Sequence, residues 1–177
     1  MMPDVQNPGS PHDRRAEQEV IDMLLHGINH VATLTRDSTR LLDFYQEVFE
    51  SEVVGTFDGP EGPGTRMSVV AIGDGTMLNV FEIVGNVEAE HQVPMFGRGR
   101  IDHIGLRAKD LESFDEIRAR LMERGAADGF VTDFGTEYSL FFRDPDGLEG
   151  EVLVTIPQPR DDSQTPRGTT ALRYANP

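Results

Sequence analysis

The stretch Ile28-Asn29-His30-Val31 occurs a second time as Ile101-Asp102-His103-Ile104, with a histidine at the same place in both copies. Each copy leads into a short charged turn and then into a segment with the apolar spacing of a helix. The copies begin roughly 70 residues apart, which is longer than one unit of a solenoid. The sequence therefore predicts a duplicated module, and we expect the functional site to lie where the two copies meet.

A second pair of matching segments extends the repeat. Asp74-Gly75 precedes an apolar strand pattern in the first copy, and Asp146-Gly147 precedes one in the second. When the copies are aligned on these glycines, Glu151 falls opposite Asn79. The interval from the histidine to this position differs by only one residue between the copies, so the register holds through the whole module.

Composition limits the classes of function. The chain of 177 residues carries a formal net charge of -15 and no basic cluster, whereas nucleic acids and anionic membranes are bound by clustered Lys and Arg. It has no cysteine, so His and carboxylates remain as strong metal ligands. No apolar run is long enough to span a membrane, and the first residues lack an apolar signal core. We expect a cytoplasmic protein that binds a small molecule, not nucleic acid or a membrane.

The organisation of the chain follows from the repeat and its flanks. A short helix is predicted over residues 13–25, and its apolar end could cover the domain or contact a second chain, so a homodimer is expected. The predicted units are an N-terminal extension (1–26), the first module (27–85), a linker (86–99), the second module (100–157) and a flexible tail (158–177).

Apolar periodicity predicts the elements within each module. The first contains a strand near 28–34 and a helix capped by Asp37 or Ser38, whose apolar stripe runs from Leu41 to Phe49. Strands are predicted near 53–57, 66–72 and 76–84, and the second module adds a helix over 111–124 with strands near 138–143 and 148–156. Each module is thus expected to be a strand, a helix and three strands.

The two βαβββ modules, the paired histidines and the turn at 144–147 followed by Glu151 resemble the vicinal oxygen chelate superfamily. That family includes glyoxalases, methylmalonyl-CoA epimerases, extradiol dioxygenases and antibiotic-resistance proteins. The resemblance covers roughly residues 25–157. It implies an α+β fold in which both modules form one cupped eight-stranded mixed sheet with helices on the outer face. It also implies one divalent metal ion, held at the positions of His30, Asn79, His103 and Glu151.

The residue types support such a site. Strand alternation places His30, His103 and Glu151 on the faces opposite the apolar core positions, and this set suits Fe2+, Mn2+, Ni2+ or Zn2+. A lone strand histidine is more often a satisfied core group, but matching places in two repeats favour ligation. Asn79 is preferred to Glu82 as the fourth group, because Glu82 lies three residues further on and so faces the helix side.

Three functions remain open. A glyoxalase-like or epimerase-like lyase or isomerase would chelate a small oxygenated substrate and move a proton next to a carbonyl, with Glu151 as both ligand and base. An extradiol Fe(II) dioxygenase fits the same ligands, but Phe141 stands where the resemblance would place a catalytic tyrosine. A non-catalytic drug-binding protein is the third. Glu149 is interpreted as an ordinary surface or strand-end carboxylate, and Arg107 as either an anion-binding group or a solvated strand-end residue.

Overall fold

The computed structural model describes residues 24, 27–59, 64–87, 89 and 101–157, and the structural statements below concern these residues. Outside them lie the helix predicted over 13–25, apart from residue 24, most of the linker and the tail. None of the helices in these ranges is long and apolar enough to cross a membrane.

Both modules have the predicted order of elements. Module 1 consists of β1 (His30–Thr35), α1 (Ser38–Phe49), β2 (Glu52–Asp58), β3 (Thr65–Gly73) and β4 (Thr76–Ile83). Module 2 consists of β5 (Ile104–Arg107), α2 (Leu111–Glu123), β6 (Val131–Asp133), β7 (Glu137–Arg143) and β8 (Glu149–Thr155). The α+β class and the βαβββ repeat are therefore confirmed. The sequence pattern did not locate β6, because three residues are too few to show a period.

The eight strands form two four-stranded mixed sheets, not one continuous sheet. Their strand orders are β1-β4-β3-β2 and β5-β8-β7-β6. The first and last strands of each module pair in parallel, and the other pairs are antiparallel. The first strand of each module, β1 or β5, consequently lies at an edge of its sheet. The expectation of a single eight-stranded sheet is corrected in this respect, since β1 and β5 are not hydrogen-bonded to each other within the described ranges.

Helix caps and a shared apolar core hold the modules together. The side chain of Asp37 accepts a hydrogen bond from Arg40 N at 3.1 Å and starts α1, and Asp110 accepts one from Ser113 N at 2.8 Å to start α2. One buried cluster includes residues from both helices and both sheets. Phe49 of α1 packs on Phe142 of β7 with ring centroids 5.2 Å apart. The helices thus cover the faces opposite the predicted ligands.

The two helices also contact each other. Arg120 of α2 donates to the backbone oxygen of Glu47 at 3.1 Å and to the carboxylate of Glu50 at 2.7 Å. The exposed ion pair contributes little by itself, about 0 to 1 kcal/mol, but the bond to a helix C-terminal carbonyl fixes the direction of the contact. The modules therefore meet through their helices and core.

Candidate metal centre

The two repeated histidines are held in the same way. Nδ1 of His30 lies 2.9 Å from Oδ1 of Asn29, and Nδ1 of His103 lies 2.9 Å from Oδ1 of Asp102. Since an amide or carboxylate oxygen accepts hydrogen bonds, these contacts fit the tautomer with the proton on Nδ1, in which Nε2 is the nitrogen that can bind a metal. This is the arrangement in which a neighbouring acceptor orients an imidazole for ligation through its other nitrogen.

Strand register places Asn79 and Glu151 at equivalent positions. Asn79 is the Cα partner of Ala32, two residues beyond His30, and Glu151 is the partner of Gly105, two residues beyond His103. In each sheet, the residue chosen by the alignment on the turn glycines pairs with the residue two places after the histidine, so Asn79 and Glu151 are equivalent.

His103 and Glu151 form the tightest part of the site. Nε2 of His103 lies 3.5 Å from Oε2 of Glu151. The other carboxylate oxygen, Oε1, accepts a hydrogen bond of 2.5 Å from Oγ of Ser139, which is fully buried. Ser139 was missed in the sequence because its place beside Glu151 depends on the register between β7 and β8. The serine holds one oxygen and leaves the other facing the imidazole.

Phe141 forms an apolar wall beside this pair. It is the Cα partner of Glu151 on the neighbouring strand, and its ring meets His103 edge-on, with centroids 5.5 Å apart and planes at 75°. The ring restricts the imidazole and places no acid or base at that point.

His30 is not brought to the pair. It is exposed on the edge strand β1. Among the described residues, which include all the proposed ligands, no three His, Asp or Glu side chains are grouped closely enough to hold a metal ion. The chain thus presents a module 1 half-site (His30 and Asn79) and a module 2 half-site (His103 and Glu151). The expectation that two imidazoles and the carboxylate point into one concavity is not met within a single chain.

Two other carboxylates have structural partners. Oε2 of Glu82 accepts hydrogen bonds from the backbone N, at 2.9 Å, and the hydroxyl of Ser38, and these bonds lower the pKa of Glu82, the hydroxyl most. Glu82 thus faces α1, as strand alternation predicted. Glu149 is buried and accepts a 2.9 Å bond from Nε of Arg143. Glu149 is the first residue of β8, so its interpretation as a strand-end carboxylate is confirmed, but the surface alternative is wrong because this end of the strand is buried.

That turn carries a buried acid. Oδ1 of Asp144 accepts hydrogen bonds from the backbone N of Asp146 and of Leu148, both at 2.9 Å. Burial raises the pKa of Asp144 to about 7 against the effect of these bonds, and the nearby carboxylate of Asp146 adds to the rise. Burial, with Asp144 close by, also raises the pKa of Tyr45 in α1. Nη2 of Arg40 donates to Asp146 at 2.5 Å and ties α1 to the turn.

Two clefts lie between the modules. The larger, of about 1040 Å³, runs between β1, the β3–β4 turn and β5, and His103 and Arg107 line it. The smaller, of about 400 Å³, lies between the end of α1 and α2 and contains none of the four proposed ligands. The larger cleft is the one that adjoins the module 2 half-site.

Comparisons with known proteins agree with this architecture. A family model described as the Glyoxalase/Bleomycin resistance protein/Dioxygenase superfamily matches residues 27–152. No curated protein matches the chain by sequence. The structure of the trypanothione-dependent glyoxalase I of Leishmania major is 20% identical, with a TM-score of 0.57, and the match covers 73% of this chain and 87% of that one.

Two further structures represent other activities. A mutant of the fosfomycin resistance protein FosX of Listeria monocytogenes, complexed with Mn(II) and 1S,2S-dihydroxypropylphosphonic acid, is 18% identical with a TM-score of 0.56, over 73% of this chain and 92% of that one. The antibiotic binding protein TnmS3 of Streptomyces sp. CB03234 is 22% identical with a TM-score of 0.53, over 76% and 99%. At these identities the likeness establishes the fold.

Proposed function

Since the chain belongs to the glyoxalase, bleomycin resistance protein and dioxygenase superfamily, we propose that it is a metal-dependent lyase or isomerase acting next to a carbonyl group. The observation that carries the proposal is the module 2 half-site. There, an oriented imidazole nitrogen and a carboxylate oxygen face each other at 3.5 Å, beside an apolar wall.

The donor set fits a divalent cation. Two ligand atoms that are each about 2.1 Å from one cation lie roughly 3 to 3.5 Å apart when they occupy adjacent positions. The separation of 3.5 Å between His103 Nε2 and Glu151 Oε2 is of this size. Two imidazoles, a carboxylate and an amide oxygen suit Fe2+, Mn2+, Ni2+ or Zn2+ and leave positions for a bidentate substrate. When bound, such a cation would polarise a substrate carbonyl and acidify the neighbouring C–H.

The protein groups then favour proton transfer. Glu151 lies at the pair and can accept the proton, while the hydroxyl of Ser139 steadies its second oxygen. General base catalysis of this kind contributes roughly 10² to 10⁴-fold. Ring cleavage of a catechol would need a further acid or base beside the substrate, and Phe141 offers only a ring edge there. Binding without turnover would not require the His103–Glu151 pair.

We propose that a second copy of the chain completes the site. Both β1 and β5 are edge strands, whose unpaired backbone groups can pair with another chain. Ile28 and Ile101, just before these strands, are exposed apolar residues. If β1 of one copy lies beside β5 of the other, His30 and Asn79 of the first copy meet His103 and Glu151 of the second. A two-fold axis would then build two such sites in a homodimer.

The experiment co-expresses His30→Ala and His103→Ala chains with different tags and isolates the mixed dimer. In a composite site, one of its two sites is intact, so we expect about half of the parent's metal content, whereas each single variant binds little. Elemental analysis gives the content. Metal-dependent exchange of the α-proton with deuterated solvent, across 2-oxoaldehyde thiol adducts and acyl thioesters, gives the activity.

The matched control carries both substitutions in one chain, paired with a parent chain. A composite site predicts no intact site in this dimer, whereas a site within one chain predicts one. Metal in the control and none in the first dimer would therefore reject the second copy as the source of ligands. Oxygen uptake with catechols under Fe(II), without solvent exchange, would instead favour a dioxygenase.

A further inference from the structure

The helix of module 1 packs against the start of the strand that carries Glu151. The ring of Phe142 lies over Gly150, the residue before Glu151, so closely that a Cβ on that glycine would clash with it. Phe44 and Phe49 of α1 pack on the same ring, with centroids 6.3 Å and 5.2 Å from it. Because a close-packed interior transmits displacements, the position of α1 affects the backbone beside Glu151.

Polar side chains of the same helix reach the turn at 144–147, which leads into β8. Nη2 of Arg40 donates to Oδ1 of Asp146 at 2.5 Å, so this bond joins the two modules. The hydroxyl of Tyr45 lies close to Asp144, whose charge adds to the effect of burial in raising the pKa of the phenol. The turn is thus held from module 1 by one partly exposed contact and one buried contact.

Three oxygen atoms at this contact are buried and have no hydrogen-bond partner among the described residues: Oη of Tyr45, Oδ2 of Asp144 and Oδ2 of Asp146. Burial of unsatisfied polar atoms is costly. When both carboxyl groups are ionised, the three atoms carry a single proton, that of the tyrosine. A proton on Asp144 adds a second donor, which allows one hydrogen bond from Tyr45 to Asp144 and another from Asp144 to Asp146.

The surroundings of Asp144 place this protonation near neutral pH. The titratable and charged groups beside it are Arg40 and Tyr45 from α1, Asp146 in the turn, and Arg143 and Glu149 at the ends of β7 and β8. Arg143 and Glu149 are bonded to each other at 2.9 Å. Burial raises the pKa of Asp144 to about 7, and the charge of Asp146 adds to the rise. The contact therefore has its second donor below about pH 7 and loses it above.

We propose that Arg40 and Tyr45 are positioning residues for Glu151. They hold the turn before β8, so that the carboxylate stays opposite His103. The inference rests on the proposed function for the role of Glu151 as a ligand, whereas the contacts themselves need no metal. A carboxylate that is already in place loses less freedom when it binds a cation, so a looser turn lowers metal affinity.

The first test measures amide hydrogen exchange in the metal-free protein, because local opening shows whether a strand is held. Tyr45→Phe removes only the hydroxyl, and Arg40→Met removes the charge but keeps an unbranched side chain. We expect each to speed exchange over Glu149–Thr155 about tenfold, while β4 of module 1, the internal reference for global opening, stays unchanged. Arg40→Lys keeps the charge and should restore most of the protection.

The second test measures divalent-metal affinity by competition with a chelating dye. Tyr45→Phe and Arg40→Met should each bind about fivefold more weakly than the parent, as is typical of groups that act through a ligand. Unchanged exchange in both variants would overturn the inference. Faster exchange with unchanged metal affinity would overturn it as well, because the contact would then hold the strand without positioning Glu151.

Two matched controls remove the same groups elsewhere. Tyr138→Phe loses a hydroxyl near the end of β7 that is remote from the turn. Arg124→Met loses a different ion pair between the modules, the one with Glu47. Both should resemble the parent in exchange over β8 and in metal affinity. Equal effects in the controls would overturn the inference, because the loss of any hydroxyl or any ion pair between the modules would then explain them.

A pH profile distinguishes positioning through the turn from simple packing. Asp144→Asn is neutral and keeps both a donor and an acceptor, so it represents the protonated turn at every pH. After correction for intrinsic exchange rates, β8 of the parent should open about fivefold more often at pH 8 than at pH 6, whereas Asp144→Asn should not change. The same response in both proteins would overturn the inference. If the parent binds no metal but exchange behaves as expected, the proposed function fails and the hold of module 1 on β8 stands.

Discussion

Module 1 and module 2 hold their histidines with the same geometry but surround them with different charge. Asn29 and Asn79 in module 1 occupy the places of Asp102 and Glu151 in module 2. Both imidazoles are tied through Nδ1 at 2.9 Å, so the difference is one of charge and not of orientation. In a metal site, most of the electrostatic attraction would then come from module 2, and module 1 would complete the coordination with neutral donors.

The same contrast holds at the turns before the last strands. The turn of module 1 is exposed, and Ile72 lies two residues before its Asp-Gly pair. The turn of module 2 has Asp144 at that place and buries it under α1. At two points, module 2 thus has a carboxyl group where module 1 has a neutral residue: Glu151 beside His103, and Asp144 buried in the turn.

The largest expected effect is the loss of metal affinity on substituting Glu151, compared with the loss on substituting Asn79. Glu151→Gln keeps the bond from Ser139 but removes the charge, and we expect divalent-metal affinity to fall roughly 1000-fold, more than the 10 to 100-fold typical of outer groups. Asn79→Ala removes a neutral donor and should cost about tenfold or less. Competition with a chelating dye measures both. Equal losses would show that charge is not divided between the modules in this way.

The next effect concerns Asp144 and pH. Its pKa is raised from 3.8 to about 7, so the folded protein holds this proton more tightly than the unfolded chain. The stability that protonated Asp144 contributes is complete below about pH 4 and is lost as pH rises through 7. Asp144→Asn keeps an oxygen for the N–H groups of Asp146 and Leu148. Relative to the parent, it should therefore gain about 2 kcal/mol in urea unfolding between pH 5 and pH 8.

The control for this shift is the turn of module 1. Asp74 is exposed, so Asp74→Asn should change the free energy of unfolding by the same small amount at both pH values. A pH-independent difference between Asp144→Asn and the parent would mean that the buried carboxylate does not titrate in this range.

Features that depend on local sequence spacing could be predicted, whereas features that depend on long-range packing could not. The βαβββ order, the Asp37 cap and the helix-side position of Glu82 follow from local spacing, and the repeat aligned Asn79 with Glu151. The division into two sheets depends on how whole modules dock, which no local pattern encodes. The role of Ser139 and the burial of Asp144 were not predicted for a related reason, since pairing across β7 and β8 and packing under α1 determine their surroundings.

The smallest expected effect lies in the residues that orient the histidines. Asp102→Asn can keep the bond to Nδ1 of His103 but removes the charge that makes the imidazole a stronger donor, so metal affinity should fall about tenfold. The reciprocal change, Asn29→Asp, gives module 1 the charge of module 2 and should raise affinity by a similar or smaller factor. Both are measured by the same dye competition, with circular dichroism to check the fold. If Asp102→Asn binds metal like the parent while Asp102→Ala does not, the hydrogen bond alone matters, and the two modules orient their histidines equivalently despite the difference in charge.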